Sequence, residues 1–537
     1  MTKANLLDRA IAYVSPRAGA ERVARRAMME RIEAFGGGEG RAWRGGDPGN
    51  RALASIRATR GDANRDDLPT AQRLRENVRA IDRNSAMGGA VIERTVSFAV
   101  GTGLHVIPQI DRDFLGLRDD QAEAFEQAAS REFNLWAESE YSDAEHSIPF
   151  VEQQDLALTS VMVSGDTFGV WENRAVPGWP YLSRLRLYEA DQISNPNLQP
   201  DGAELAAGAG KGHRVFGGIE IDRNGAHTAV HIRDRHPGAF LGAGNNEWSR
   251  VPMVGPSGLR QVLHLYRKRR PGSVRGLPLL APVVEELQQL SDYTKAELFA
   301  AVISAMIAVV HKGKPNEKLP APGEEGGTEL ANEDPGSINF EAGMVLDIDA
   351  DDDVEVPSLG RPNSAFEPFF TAIVRQIGAR TGIPYELLIM HFSASYSASR
   401  GALEVAFIYL MRWRKWLERH LCAPAYGRVI AEAVAAGRLD APGFFGDPLV
   451  RRAWLQAVWI GPAKISLNPK VEAEAAAIEE DRAWKTSTEI TAERTGGQFH
   501  RKVRQRRGEE LARREAGIAP APAKSPPPVP RDDGEDE

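Results

Sequence analysis

At 537 residues the chain is longer than one hydrophobic core usually supports, so two or more structural regions are expected. Apolar residues at 42% and charged residues at 26% are ordinary for a soluble globular protein and speak against wholesale disorder. A formal net charge of -8 argues against a free-standing, high-affinity DNA binder, which presents a basic surface. It leaves room for a protein that guides a polyanion without gripping it.

The start, Met1 to Arg31, is arginine-rich and amphipathic without an apolar signal core, and reads as a surface or partner-binding helix. With Cys422 the single cysteine, no intrachain disulfide is possible, and synthesis in a reducing cytoplasm is expected. Gly36–Gly49 reads as a loop or flexible arm. From about Thr70, apolar residues from Leu74 to Val96 recur at helical spacing, in two pieces broken near Asn84–Gly89. Val100–Leu104 ends the helix and opens a strand. Helices fit Asp119–Glu140 and Ile148–Ser164.

A β-rich stretch follows, with turns at Val176-Pro-Gly, Asn195-Pro, Asp222–Gly225 and Gly255-Pro. Alternation is visible in Ser183–Tyr188, Gly218–Ile221 and Ala229–Arg233, and Asp222–Gly225 carries a hairpin signal. Leu280–Val310 is expected as a long helix, striped at Leu287, Leu290, Tyr293 and Leu298 and then apolar almost all round. All-round apolarity calls for burial, and packing against identical neighbours in a ring supplies it. The apolar run Leu298–Val310 is shorter than the roughly 20 residues that cross a bilayer, so no membrane span is expected.

Lys314–Gly360 is an acidic insert with short strands, and Phe366–Arg380 returns to helix before Gly382-Ile-Pro384. A helix thus goes out, a small module follows, and a helix comes back. Leu387–Arg400 is a serine- and alanine-rich loop or helix start, and Gly401–Ala436 is helical. Asn468–Ala516 is polar helix, and Gly517–Glu537 is a proline-rich tail of disordered composition.

Chemistry-bearing motifs are scarce. Gly208–His213 lacks the first glycine and the Ser/Thr of a phosphate-binding loop. His231 and His236 should lie on opposite faces of a strand, as ordinary histidines of an exposed strand and turn. Asp347, Asp349 and Asp351 resemble the opening of a calcium loop, but Asp352 and Ser358 stand where glycine and glutamate are needed. With Asp353 they read as a solvated acidic face that keeps passing DNA from sticking. Ser393, Ser395, Tyr396, Ser397 and Arg400 read as polar channel-facing residues or as helix-cap chemistry. For the basic run holding Arg501, Lys502, Arg504, Arg506 and Arg507, two readings stand. It is a solvated helix face, or a site that touches DNA phosphates without base reading. No catalytic, metal or cofactor site is expected.

Several blocks together resemble the lambda-type phage portal family, from about Arg73 to Gly497. They are Arg83-Asn84 with Ala90–Ile92 and Val100–Leu104; Trp136, Asp143 and Gln154 leading to Gly165-Asp166; and His264 with Arg275–Pro278 and Leu290–Tyr293. Gly382–Leu388 with Tyr396–Arg400 is the most specific, and Trp459–Pro462 and Asn468–Lys470 complete the series, Asn468 standing where the family commonly has aspartate. The resemblance implies an α+β portal fold with wing, long-helix stem, small α/β clip and helical crown, assembled as a ring, usually of twelve subunits. On that plan residues 1–69 are a basic arm and flexible loop, 70–279 the wing, 280–312 and 362–384 the stem helices, and 313–361 the clip. Residues 385–427 are the channel loop and a wing helix, 428–500 the crown, and 501–537 a basic then proline-rich tail.

The function it implies is a double-stranded DNA channel at one capsid vertex, for packaging, DNA retention and ejection, and head–tail joining. Implied partners are identical subunits, duplex DNA without sequence specificity, the terminase large subunit, the major capsid or scaffold protein and a head–tail adaptor. Assembly takes place in the host cytoplasm and the product resides in the virion. A gene transfer agent or domesticated prophage would use the same physics. The alternative of another class is a nuclease or strand-transferase using Ser397 or Tyr396 with Arg400.

Overall fold

The computed structural model describes residues 51–56, 60–206, 208–239, 247–313, 344–349, 363–391, 396–463, 468–497 and 499–517; positions 51, 303–313, 344–349 and 396–397 are described at the backbone only. The chain divides into two units, Met1–Asp62 and Ala63–Glu537. The described part of the first holds a 3-10 turn at Arg51–Leu53. All that follows concerns the second.

Its first two helices are α1 (Ala63–Asn84) and α2 (Ala86–Ala99). Ser85 breaks them where the sequence placed the break: its extended backbone starts α2 and its hydroxyl accepts from the Gly88 amide at 3.3 Å. Strand β1 (His105–Pro108) follows, then α3 (Asp119–Ala137) and α4 (Phe150–Ser164). Helix α3 buries Ala122, Phe125, Ala129, Phe133 and Trp136, the spacing of one helical face.

The β-rich stretch forms two sheets. Strands β2 (Asp166–Asn173), β3 (Ser183–Glu189) and β9 (Val262–Tyr266) make an antiparallel sheet in the order β3-β2-β9. Strands β4 (Ala203–Glu204), β5 (Arg214–Phe216), β6 (Ile219–Ile221), β7 (His227–Arg233) and β8 (Trp248–Pro252) form an antiparallel meander, and Asp222–Gly225 makes the expected turn between β6 and β7. The simple in–out alternation expected of Ser183–Tyr188, Gly218–Ile221 and Ala229–Arg233 is not what is found: residues 183–185, 219–221 and 229–232 are buried in unbroken runs, as are residues 166–171 of β2. Period two survives, but both faces are covered. Phe168 and Val170 pack with Ile219, Val230 and Ile232 of the meander, whereas Trp171 joins Leu185, Leu263 and the helical core.

Helix α5 (Val284–Met306) is shorter than the Leu280–Val310 expected. Its last apolar residues leave the helix for β10 (Ile307–Gly313), parallel to β11 (Met344–Asp349). The β-branched cluster Ile307–Val310 suits a strand once a partner strand is present. Helix α6 (Phe366–Thr381) returns against α5 and ends at Gly382, whose left-handed backbone (φ 82) lies against the Tyr409 ring. The region expected as one helix from Gly401 is α7 (Tyr396–Leu417), a π turn at Glu418–Cys422, and α8 (Ala423–Ala435). Pro424, with no N–H to donate, lies two residues beyond that turn. Then come α9 (Pro448–Trp454), β12 (Ala457–Ile460) and the three helices α10 (Pro469–Asp481), α11 (Ser487–Thr495) and α12 (Phe499–Glu515).

Strand β12 pairs antiparallel with β1, His105 opposite Ile460, so chain ends far apart in sequence close one core. Phe133 meets Tyr426 and Trp459 edge-on at 5.5 and 5.7 Å, and Trp136 lies 5.1 Å from Phe150 and 6.1 Å from Trp171. Arg414 staples this closure from α7, donating to the carbonyls of Phe98, Ala99 and Pro462.

The tightest backbone approach joins the end of α4 to the segment entering α5. A Cβ on Gly276 would stand 2.0 Å from the Gly165 carbonyl oxygen, and one on Gly165 2.6 Å from that of Gly276. Neither backbone is free to yield. Gly276→Ala is expected to lower stability by about 2–3 kcal/mol, read as a drop in denaturant midpoint with an unchanged slope.

Candidate functional site

Asp166 opens β2 and is fully enclosed, with Arg275 and His264 beside it. Arg275 spends all five guanidinium N–H groups. Its Nε donates to Asp166 Oδ2 at 2.5 Å and its Nη2 to Asp166 Oδ1 at 3.0 Å. The other three reach the carbonyls of Ala190, Ile193 and Gly217. The Gly276 amide donates to Asp166 Oδ2 at 3.2 Å, and His264 Nε2 lies 3.4 Å from the same oxygen. The His264 ring is stacked between Phe168 and Tyr266 at 4.2 and 4.0 Å. Burial alone would raise the Asp166 pKa, but the Arg275 charge and the His264 and Arg275 hydrogen bonds outweigh it and hold the carboxyl well below the usual range. Burial pushes His264 down, towards its neutral form.

These are the residues of two blocks read from the sequence, Gly165-Asp166 and His264 with Arg275-Gly276. Several other residues of the blocks behave alike. Gln154 bonds both backbone groups of Leu104, accepting at 2.8 Å and donating at 3.3 Å. Trp136 donates from its indole to the Ser183 carbonyl, and Asp143 accepts from the amides of Glu145 and Ser147. Asn468 caps α10, accepting from the Val471 amide, a task that aspartate performs equally. The motif residues therefore pin the scaffold.

A second buried carboxylate, Glu220, sits in the meander. Arg250 donates to it twice at 2.8 Å, His213 Nδ1 lies at 2.7 Å and Thr228 donates at 2.9 Å. Burial opposes its charge, yet these hydrogen bonds pull its pKa down to about 2. His231 is buried beside it, 3.5 Å away, not on the exposed strand expected. His236 lies apart with Glu189 and Asp191, their ligand atoms within 4.8 Å of one another. Arg79 and Arg75 already stand 2.5 and 3.6 Å from Asp191, so the charge a cation would neutralise is met by guanidinium.

The helix pair α5–α6 is apolar outside as well as inside. Leu287 and Leu290 are buried, and Tyr293 packs against Phe366 and Phe369. One turn on, Leu298 and Phe299 are each 67% exposed, with Val302 at 42% and Phe369 at 50%. At Leu298, Phe299 and Val302 the burial expected for the second half of this helix is thus not supplied by the described residues.

Of the expected channel residues, Ser393 and Ser395 lie outside the described residues, and Tyr396 and Ser397 are placed by backbone at the start of α7. Arg400 is exposed and pairs with Glu404 at 3.4 Å. Asp347 and Asp349 belong to β11, a strand where a calcium loop would need a turn, and Asp351, Asp352 and Asp353 lie outside the described residues. Arg501, Lys502, Arg504, Arg506 and Arg507 all stand exposed on α12, with Arg506 paired to Glu510 at 3.3 Å. Among the described residues these groups are not gathered into one site. A basic cleft that sequence reading missed is lined by Arg267, Lys268 and Arg269 and by Arg412, Lys415 and Arg419. The run Arg267–Arg270 was its signal, four consecutive basic residues directly after a strand.

A family model for the phage portal protein, lambda family, matches residues 49–414. The chain belongs to that family. The portal protein of Escherichia phage N15 is 21% identical over 510 residues, covering 90% of this chain and 91% of the relative. Among solved structures, a chain from the virion of a native gene transfer agent particle matches 79% of this chain and 92% of its own length, at TM-score 0.36 and 12% identity. A chain from the neck of an empty particle of that kind, computed with C6 symmetry, matches 82% and 95%, at 0.35 and 13%. Likenesses of this size leave the family match to carry the assignment.

Two expectations follow for this portal protein's pinned carboxylates. Asp166→Ala strands the enclosed Arg275 charge and should cost about 3–5 kcal/mol, measured by denaturant titration. Asp166 and Glu220 both have depressed folded values, so their stabilisation is complete above about pH 5 and is lost as pH falls, for Glu220 through about 2. The thermal midpoint should fall steeply over that range, and Glu220→Gln should flatten the fall.

Proposed function

We propose that the chain assembles into a closed ring, on the order of twelve subunits, forming the double-stranded DNA channel at one capsid vertex. The observation that carries this reading is the uncovered apolar flank of α5 and α6. Leu298, Phe299 and Val302 on α5 and Phe369 on α6 stand exposed, and helical spacing sets Leu298 and Val302 on the face that Leu287 and Leu290 bury nearer the start of α5. Identical neighbours placed around an axis cover this flank by the same contact at every interface, and closure leaves no free patch.

On this reading α5 and α6 are the stem (280–312 and 362–384) and the acidic insert 313–361 is the clip that meets the terminase large subunit and later the head–tail adaptor. Residues 70–279 are the wing, 385–427 the channel loop with α7, and 428–500 the crown inside the capsid. The arm 1–69 and tail 501–537 are left for capsid or scaffold contacts and for packaged DNA. No covalent step is assigned to the chain. It nucleates the head, docks an ATP-driven motor during packaging, retains the genome and passes it on during ejection. Acidic residues of the clip repel the DNA backbone, so the duplex slides without being held. The same account serves an infectious phage and a gene transfer agent.

Native mass spectrometry with negative-stain imaging tests the reading. Rings of about twelve subunits with a central hole near DNA width are expected. Leu298→Asp with Phe299→Asp should shift the population to monomers while circular dichroism stays unchanged. A wild-type protein that stays monomeric or dimeric across salt conditions would sink the proposal. Duplexes of equal length and different sequence should bind alike; strong discrimination between them, or a covalent DNA adduct at Tyr396 or Ser397, would point to an enzyme instead.

A further inference from the structure

A cleft of about 1320 Å³ opens between the β6–β7 turn, the strand β9 with the residues after it, the end of α6, and the last turns of α7. Among the described residues, eight Lys and Arg side chains line it and no Asp or Glu does. In a chain with 74 acidic and 66 basic residues, that segregation is a feature to be explained. Two of the eight have local partners: Lys415 pairs with Glu418 at 2.8 Å, and the Arg267 guanidinium lies 4.7 Å above the Trp413 ring. The other six are Arg260, Lys268, Arg269, Arg380, Arg412 and Arg419. Among the described residues none of these has a carboxylate within ion-pair distance.

The crowding shows in the titration of the site. Burial first, then Arg412, lowers the pKa of Arg267; burial and then Arg380 do so for Arg269. His227, on the cleft wall, is held down to about 4 by burial and by its neighbours His264, Lys268 and Arg260. At neutral pH the field is therefore that of arginine and lysine, and it lacks an anion. The cations come from separated stretches of chain and surround a space much larger than one phosphate group. The wall carries charged and aromatic groups rather than the apolar centre of a protein–protein contact. A dense, repeating polyanion matches this better than an acidic peptide, and guanidinium forks pair with phosphate oxygens in two-point contacts.

We propose that this cleft binds the phosphate backbone of double-stranded DNA without reading bases. The inference rests on the portal reading and adds to it a DNA contact built by wing residues with Arg380 at the end of the stem helix α6, separate from the clip and the basic helix α12. Phosphate is the shared chemistry of duplex DNA and of small free phosphates, and the test separates them.

The test uses the full-length protein, with assembly checked by native mass spectrometry, and a fluorescent duplex of about 30 base pairs followed by anisotropy over a salt series. Arg269→Gln, Arg412→Gln and Arg419→Gln combined should weaken binding at least tenfold and reduce the slope of log affinity against log salt by about two to three. The corresponding three Arg→Lys changes should keep affinity within a few-fold, which separates charge loss from misfolding. Arg504→Gln, Arg506→Gln and Arg507→Gln on α12 should leave the cleft's contribution in place. Unchanged affinity and slope in the cleft glutamine variant would overturn the proposal. So would displacement of the duplex by inorganic phosphate at equal phosphate concentration, which marks a small-anion site. A polyglutamate peptide that binds where the duplex does not would assign the cleft to an acidic protein partner. Rings that form but bind DNA independently of the cleft refute this inference alone, whereas failure to form rings refutes the portal reading.

Discussion

The ion pair between Asp166 and Arg275 is the constraint on which the rest of the molecule depends. Asp166 begins the central strand of the three-stranded sheet, and Arg275 lies on the segment that leads into α5. Their contact, with the Gly165–Gly276 backbone approach beside it, locks the direction in which the long helix leaves the sheet region. An enclosed ion pair is weak evidence for net stability, because desolvation offsets most of its Coulomb energy. Its value here is specificity: five guanidinium donors and a carboxylate accepting from three sides leave one geometry in which no polar group is stranded. The proposed ring of identical subunits would need that certainty, since an angular error at one interface is repeated at every other.

From that fixed exit the helix pair α5–α6 carries its apolar surface outward. Within the chain the pair is only half covered, buried at Leu287 and Leu290 and open at Leu298 and Phe299. In the proposed ring, association supplies the burial missing at these positions, so the same side chains that stand exposed in the subunit would define its assembly. Scaffold and interface are thus divided along one helix.

Charge is divided in a comparable way. Carboxylates that matter to the fold, Asp166 and Glu220, are buried and each is met by arginine and histidine. Other arginines gather around the cleft between β9 and α7, where among the described residues no carboxylate pairs with Arg260, Arg269, Arg380, Arg412 or Arg419. A net charge of -8 conceals this arrangement, because a sum over the chain says nothing about where like charges are brought together. The field a ligand meets is local.

The sequence by itself determined the helices from α1 to α4, the Asp222–Gly225 hairpin, the out-and-back pair α5–α6, and the family. Each depends on neighbours close along the chain or on ordered motif blocks. It showed that Gly165, Asp166, His264, Arg275 and Gly276 matter without showing why, since their contacts span about a hundred residues, as from Asp166 to Arg275. Only the tertiary structure decided that they pin a scaffold, that β2 is buried on both faces, and that α5 gives way to β10 at Ile307, where a strand 37 residues on offers a ladder. It alone brought Arg269 beside Arg380, and Arg267 beside Arg412. Local propensity is written in adjacent residues; burial, pairing and shared fields arise where distant residues meet, and no spacing along the chain encodes that meeting.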